Sequence, residues 1–330
     1  MRAVDILNGA LVVLVLGGVA LLVQWQSGQP FAAVGADTGA GAVVTVVADH
    51  GGVAVPVGAY QRIASVSLVA DAILPELVHV DRIVSITASH RDHHPAAFRT
   101  AHARALPQSA DLEAILALSP DLILVSNTLG DPAQVARARE LGIAVFELGP
   151  MQGRATFLPN IRQLGQLLHV PARAAAVADR LASRLDRLAE RIPPERRRPA
   201  IYAAAYASKL YGGTVGSSYH DVLTAAGLVD VAAGVFPGQG WPALAVEDLL
   251  RLRPAIIVTL TGNAESLRAL PGMDRVDARI VEIDGALLGD PSLMLPAAEA
   301  LQAAVYGRPS VSGADAADIL SEDRRGAQPD

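Results

Sequence analysis

The sequence has no cysteine among its 330 residues, which excludes disulfide bonds, thiolate metal sites, cysteine nucleophiles and a lipidated N-terminal cysteine. Aromatic residues make up only 4% of the chain, so each one near a predicted site carries more weight. The net charge is −6 and no long basic run occurs, which argues against nucleic acid as a partner. With 51% hydrophobic and 18% charged residues, the chain can still bury two cores.

The common catalytic fingerprints are also missing. The sequence contains no G-x-S-x-G, H-E-x-x-H, Walker or dinucleotide-binding motif. Ser218, His220 and Asp221 lie too close together on one predicted helix to form a catalytic triad, because neighbouring side chains on a helix point in different directions. We therefore predict that the protein is not an enzyme and has no catalytic residues and no cofactor.

One sequence pattern occurs twice. Residues 112–125 and 246–259 share a glutamate, matching apolar positions, a proline and a run rich in β-branched residues, at a constant offset. Each copy predicts a short helix that ends before the proline, followed by a buried strand typical of a parallel sheet. A weaker repeat places a serine, with an aspartate four residues later, at Ser67 and Ser217. The two repeats indicate two related α/β lobes.

A long helix is predicted between the two lobes, from Pro171 to Ile192. Proline suits its first turn, and Pro193 and Pro194 end it. Such a helix spans roughly 33 Å, about the width of a small domain. Its apolar residues recur every three or four positions, as one buried stripe requires: Val177, Leu181, Leu185, Leu188 and Ile192. We predict an α/β fold of two Rossmann-like lobes with parallel sheets, joined by this helix, with a ligand cleft between the lobes.

The domain boundaries follow from these elements. The N-terminal lobe is predicted at 43–150, the linker helices at 151–192 and the C-terminal lobe at 193–307. Residues 24–42, rich in glycine and alanine, predict a flexible tether, and residues 308–330 predict a disordered tail.

The first 23 residues predict export. Arg2 precedes an apolar run, and no charge occurs between Ile6 and Val23. A run of this length fits either a cleaved signal peptide or a retained membrane anchor. The small residues at 34–36 lie far from the apolar run for a cleavage site, which favours the anchor. In both cases we predict a periplasmic or extracytoplasmic protein, and the retained anchor would be its contact with the membrane.

The first candidates for ligand contact lie in one polar segment that contains His90, Arg91, His93 and His94. Neutral imidazoles bind zinc, iron and copper, and the segment follows a predicted strand, where open α/β sheets place ligands. We expect a loop without the helical spacing of a preformed metal site. Contact with a ligand is therefore favoured over direct ligation, and no metal site is predicted. Direct binding of a metal ion and a metal-dependent hydrolase remain as alternatives.

Two aromatic residues are the other candidates. Trp241 lies in a glycine-rich loop before Pro242, and Tyr211 precedes a predicted glycine-rich turn at 211–216. Either ring has a structural alternative, because both could pack over the second lobe. Stacking against a flat or bulky ligand is the functional alternative for both residues.

Several of these segments, in this order, resemble the periplasmic substrate-binding proteins of the iron-siderophore, haem and vitamin B12 ABC importers. They are the stretch from Val44 to Ser67, the strand from Asp81 to Thr87, both glutamate repeats and Trp241 with Pro242. The resemblance covers roughly residues 43 to 307. It implies a monomer that captures a metal chelate, with a ferric siderophore ranked first and haem or a corrinoid next, and that delivers it to an ABC permease dimer. It also implies that Trp241, which matches the family's cleft aromatic, stacks against the ligand, and Tyr211 could act likewise.

The chain departs from that family at three points. The family's usual Ser-Pro-Ser run and Thr-Glu pair are replaced by residues 67–69 and 71–72, and the lipobox cysteine is missing. The fold is unaffected by these changes, but the ligand is not fixed by the resemblance.

The two repeats place one glutamate each, Glu113 and Glu247, in the first turn of a predicted helix. A carboxylate there is stabilised by the helix dipole, so both residues have a structural explanation. Two equally placed surface carboxylates also suit docking onto a two-fold symmetric partner. The resemblance implies the same role, because the family's glutamates at these motif positions pair with arginines of the permease dimer.

Overall fold

The computed structural model describes residues 44–107, 110–126, 132–207, 209–236 and 240–307. The predicted leader, tether and tail lie outside these residues. Within the described ranges, no helix combines the length and the hydrophobicity that crossing a membrane requires.

The described chain begins with the predicted hairpin, formed by the antiparallel strands β1 (Val46–Ala48) and β2 (Ala54–Pro56). The buried carboxylate of Asp49 accepts a hydrogen bond from the backbone amide of Val53 at 2.8 Å and one from the Arg139 guanidinium at 2.6 Å. A buried carboxylate needs such partners, and the bond from Arg139 attaches the hairpin to the first lobe.

The N-terminal lobe is a five-stranded parallel sheet in the order β5-β4-β3-β6-β7, as predicted. Its strands are β3 (Ile63–Val66), β4 (Ile83–Thr87), β5 (Arg104–Leu106), β6 (Leu122–Ser126) and β7 (Ala144–Leu148). The helices described in this lobe are α1 (Leu68–Leu77), α2 (Ala88–His93), α3 (Leu112–Leu116) and α4 (Pro132–Glu140). Strand β6 is buried along its whole length, as a central parallel strand covered on both faces should be.

The C-terminal lobe has a mixed sheet, so the prediction of a parallel sheet is wrong for this lobe. Its order is β11-β9-β8-β12-β13, with β10 also pairing with β8, and β9 runs antiparallel to both neighbours. The strands are β8 (Arg198–Tyr206), β9 (Lys209–Gly213), β10 (Leu228–Asp230), β11 (Ala243–Leu244), β12 (Ile256–Leu260) and β13 (Arg279–Ile283). The helices are α7 (Ser218–Ala225), α8 (Val246–Leu252), α9 (Ala264–Arg268), α10 (Gly285–Leu288) and α11 (Met294–Tyr306).

The predicted glycine-rich turn at 211–216 is also wrong in part, because its first three residues belong to β9. A Cβ atom on Gly213 would lie 2.9 Å from the Cβ atom of Tyr219 in α7. The glycine therefore serves close packing between a strand and a helix, and a turn is not what requires it.

The lobes are joined by α5 (Arg154–Leu167) and by the predicted long helix, α6 (Pro171–Glu190). The two helices approach closely, since a Cβ atom on Gly165 would lie 2.1 Å from the methyl group of Ala174. Of the predicted stripe on α6, Leu185 and Leu188 are buried, and one large apolar cluster runs from the first lobe past both helices into the second. The lobes therefore share a packed core beneath the predicted cleft.

The sequence repeat extends to backbone geometry. Ser119 and Arg253, at the same position in the two copies, both have a φ of 48° and both precede a proline. Left-handed backbone at residues other than glycine is uncommon, so its recurrence supports a common origin of the two lobes.

Candidate inter-lobe site

The histidine segment lies on helix α2, so the predicted loop is wrong. Thr87 ends β4 and caps the helix, because its Oγ1 accepts a hydrogen bond from the amide of His90 at 3.2 Å. Thr87 is itself held by Asp71, whose Oδ2 accepts hydrogen bonds from the Thr87 amide at 2.9 Å and from its hydroxyl at 2.6 Å. A threonine at this position is a favoured N-cap, and it turns the chain into a helix directly after the strand.

His90 and His94 are four residues apart, and the helix brings their rings together. The ring centroids are 4.4 Å apart and the planes differ by 17°. This i, i+4 spacing is visible in the sequence, and the expectation that the segment lacks it is wrong. The side chain of His90 is only 1% exposed, which leaves His94 as the member of the pair closer to the surface.

Both imidazoles are neutral at physiological pH. Burial, together with the nearby His94 and Arg91, lowers the pKa of His90 to about 4. Burial also lowers the pKa of His94, while the Asp290 carboxyl acts in the opposite direction. Neutral imidazoles donate and accept hydrogen bonds, and they are the form that ligates metals.

The structure does not bring the other two candidates of this segment into the same contact. The Arg91 guanidinium donates hydrogen bonds to the carbonyl oxygens of Thr100 at 3.0 Å and Ala103 at 2.7 Å, which holds the segment that follows. His93 is exposed, and its Nδ1 lies 3.1 Å from the carbonyl oxygen of Ser89 one turn earlier.

The histidine pair contacts the opposite lobe. His94 Nε2 lies 3.3 Å from the hydroxyl of Ser292, and that hydroxyl donates to Asp290 Oδ1 at 2.6 Å. Burial raises the pKa of the Asp290 carboxyl. Sequence reasoning missed Asp290 and Ser292. The sequence feature that could have indicated them is the Asp-Pro pair that begins at Asp290, shortly after the predicted strand 279–283. The carboxyl ends of parallel strands are where open α/β sheets place ligands.

An aromatic cluster forms the C-terminal side of the site. The rings of Tyr202 and Tyr219 are 3.8 Å apart, and Trp241 meets Tyr219 edge-on at 4.5 Å. Tyr206 and Tyr211 form a second pair at 6.1 Å. Four of the six tyrosines in the chain thus form two ring pairs, and the pair of Tyr202 and Tyr219 contacts the candidate Trp241, which is 47% exposed. Of these tyrosines, sequence reasoning found only Tyr211.

The aromatic cluster reaches the inter-lobe contact. A Cβ atom on Gly289 would lie 3.8 Å from the Tyr219 hydroxyl, and the next residue in the chain is Asp290. Burial raises the pKa of Tyr219 to about 12, so its phenol stays protonated. A continuous band of aromatic faces, hydroxyls and imidazoles therefore runs from Trp241 across the lobe boundary to His94.

The two glutamates of the repeat are exposed, in the first turns of α3 and α8. Asp111 caps the first of these helices by accepting from the amide of Ala114 at 2.9 Å, and Asp248 accepts from the amide of Ala245 at 2.9 Å in the second. The capping bonds are thus made by aspartates, which leaves Glu113 and Glu247 without that role.

No group of three or more histidine, aspartate or glutamate side chains with the geometry to hold a metal ion occurs in the described part of the chain.

Comparison with known proteins identifies a family. A family model described as periplasmic binding protein matches residues 63–279. Cobalamin-binding proteins of two strains of Halobacterium salinarum are 26% identical over 200 residues, which is 60% of this chain and 53% of theirs. The chain thus spans about half the length of the curated relatives it matches.

Two solved structures illustrate the shared fold. A possible iron-binding periplasmic solute-binding protein from Staphylococcus epidermidis has a TM-score of 0.66 at 18% identity, covering 75% of this chain and 99% of that one. A periplasmic haem-binding protein from Roseiflexus sp. RS-1, in its apo form, has a TM-score of 0.57 at 21% identity, covering 74% of this chain and 98% of that one.

Proposed function

The chain belongs to the periplasmic binding protein family, and from this we propose that it is the solute-binding subunit of an ABC importer whose ligand is a metal-bearing tetrapyrrole. Proteins of this family bind their substrates without transforming them. They act outside the cytoplasm, which agrees with the predicted export.

The ligand class is supported by the band of contacts between the lobes. Trp241 and Tyr206, which are about half exposed, offer aromatic faces on one lobe, and His94 offers a neutral imidazole on the other. A flat macrocycle with a central metal can use both kinds of group. The named relatives include cobalamin-binding and haem-binding proteins beside a possible iron-binding one. We rank corrinoids and haem above the ferric siderophore that the sequence resemblance placed first, because aromatic faces suit a flat macrocycle.

The proposal is tested by binding to the full-length protein carrying Trp25→Phe, in which Trp241 is the only tryptophan. Cyanocobalamin, haemin and ferrichrome would each be titrated by fluorescence, with calorimetry as a readout independent of ligand absorbance. We expect saturable binding of one tetrapyrrole. An aromatic contact of about 2 kcal/mol predicts roughly 30-fold weaker binding by Trp241→Ala under calorimetry.

Val229→Ala serves as the matched control, because Val229 is an exposed apolar residue of the same lobe, at 49%. It should leave the affinity unchanged. Binding of ferrichrome alone, or of none of the three chelates, would contradict the proposed ligand class. Binding that Trp241→Ala leaves unchanged would contradict the proposed site.

The partner in transport is proposed to be a permease dimer, contacted through Glu113 and Glu247. Both carboxylates are exposed and neither makes a capping hydrogen bond. A pseudo-symmetric monomer with one such carboxylate on each lobe matches a two-fold symmetric partner that presents one basic group to each.

The membrane contact is proposed to be the segment from Met1 to Val23, retained after export. Its length and lack of charge after Ile6 fit a single membrane span. Mass spectrometry of the mature N-terminus tests this, since a chain that starts near Asp37 would mean cleavage and a freely diffusing protein.

A further inference from the structure

The chain contains a single lysine, Lys209, among its 330 residues. It is exposed at the start of β9 and lines an open groove of about 450 Å³. The other walls are Tyr211, the strand β11, the start of α8 and residues 270–271. A volume of this size lies within the range of small-molecule subsites, about 300–1,000 Å³.

The groove carries an unbalanced positive charge. Apart from Lys209, its lining consists of alanine, leucine, valine, proline and tyrosine, with no acidic side chain. In the described part of the chain, Lys209 makes no ion pair, whereas the nearby Arg251 pairs with Asp248 at 2.8 Å. An ammonium group beside an apolar wall is complementary to an apolar molecule that ends in an anionic group.

The groove adjoins the aromatic cluster of the inter-lobe site. Tyr211 belongs to both, because its ring lies 6.1 Å from that of Tyr206 and its side chain also lines the groove. Ala243, on the opposite wall, follows Trp241 by two residues. A ligand seated on the aromatic faces can therefore extend a side arm into the groove.

We infer that this groove is a subsite for an anionic side arm of an otherwise apolar ligand, with the Lys209 ammonium as its ion-pair partner. The identity of the ligand rests on the proposed function, but the recognised chemistry, an apolar body with a carboxylate, phosphate or sulfonate, does not. Elsewhere in the chain a positively charged side chain of this kind is an arginine. In this groove the positive charge is the compact ammonium of Lys209.

A pair of dyes tests the recognised chemistry without the natural ligand. 8-Anilinonaphthalene-1-sulfonate and N-phenyl-1-naphthylamine share an apolar body, and only the first carries an anion. In the full-length protein, Lys209→Gln is expected to weaken binding of the sulfonate about fivefold and to leave the neutral dye unchanged, since a solvated ion pair is worth up to about 1 kcal/mol. Arg187→Gln, which removes an exposed charge from α6, should affect neither dye. Equal loss of both dyes, or of neither, overturns the inference.

The single lysine also permits a direct test of position. An amine-reactive ester can label only Lys209 and the N-terminal amine, and peptide mass spectrometry separates the two sites. Bound sulfonate dye should reduce labelling of Lys209 at least threefold while labelling of the N-terminal amine stays constant. Unchanged labelling of Lys209 at saturating dye overturns the inference.

The two proposals fail in distinguishable ways. Haemin carries two carboxylates, so if haemin binds it should also protect Lys209. If haemin quenches Trp241 while dye and haemin leave Lys209 equally reactive, the groove is wrong and the proposed function stands. If the dye protects Lys209 while no tetrapyrrole binds at all, the groove stands and the proposed ligand class is wrong.

Discussion

The buried carboxyl group of Asp71 should make the stability of the protein fall as the pH rises. Its side chain has no exposed surface and accepts hydrogen bonds from the amide and the hydroxyl of Thr87, at 2.9 and 2.6 Å. Burial raises its pKa to about 7, and the Asp290 carboxyl of the opposite lobe also acts to raise it. The hydrogen bonds to the carboxylate act in the opposite direction. Asp71→Asn keeps an acceptor oxygen for Thr87 and removes the charge.

The sign follows from proton binding. Between the ordinary pKa of 3.8 and the folded value of about 7, the folded protein binds more protons at Asp71 than the unfolded chain does. Stability is then highest below about pH 4, falls through this window and is constant above it. A rise of about three pH units, at 1.36 kcal/mol each, corresponds to about 4 kcal/mol. The asparagine variant lacks this loss, so its advantage over the natural protein should grow by about 4 kcal/mol between about pH 4 and pH 8.

Urea unfolding at several pH values across this window measures the difference directly. Asp92→Asn is the matched control, because Asp92 is an exposed carboxylate on the adjacent helix α2. Its free energy of unfolding should run parallel to that of the natural protein. If Asp71→Asn also runs parallel, the carboxyl group is not buried as described and the reasoning is refuted.

Three further predictions concern docking, helix packing and a second titrating group. Exchanging Glu113 and Glu247 together for arginine should abolish uptake in cells while the purified protein binds its ligand normally; persistent uptake or lost affinity would contradict the docking role. Gly165→Ala should destabilise the protein by about 1–3 kcal/mol in urea unfolding, because its Cβ would lie 2.1 Å from a methyl group of α6, whereas alanine at an exposed helix position should be neutral. The pKa of His220 is raised chiefly by the Asp230 carboxylate, which its Nδ1 contacts at 2.8 Å, so the stability lost in His220→Gln should be full below about pH 6.5 and decline above it.

The parts of the fold that sequence predicted are those encoded locally. The hairpin, the repeated helix and strand units and the long α6 each carry their own periodicity and their own prolines or turn residues. The two copies also support one another, because the same pattern at a constant offset predicts the same helix and strand unit twice. These elements could be placed because no distant contact is needed to define them.

The histidine helix could not be found in this way. Five polar residues in succession have no apolar period and look like a solvated loop, and a six-residue helix is too short for a period to show. What stabilises it is the capping by Thr87, which is positioned in turn by Asp71 from a different helix. The same holds for the inter-lobe contact, because Ser292 and His94 are 198 residues apart in the chain.

The two lobes are alike in their repeated units and differ beside the proposed ligand site. The repeated units, with Glu113 and Glu247, are alike down to the left-handed residue before each proline, and these would face a symmetric permease. The antiparallel strands β9 and β11 exist only in the C-terminal lobe among the described residues, and they carry or flank Lys209, Tyr211 and Trp241. A tetrapyrrole with unequal side arms is not symmetric, so a site for it must break the symmetry of the lobes. In the proposed function, strands β9 and β11 supply this asymmetry beside the ligand site, while the proposed docking glutamates stay alike on both lobes.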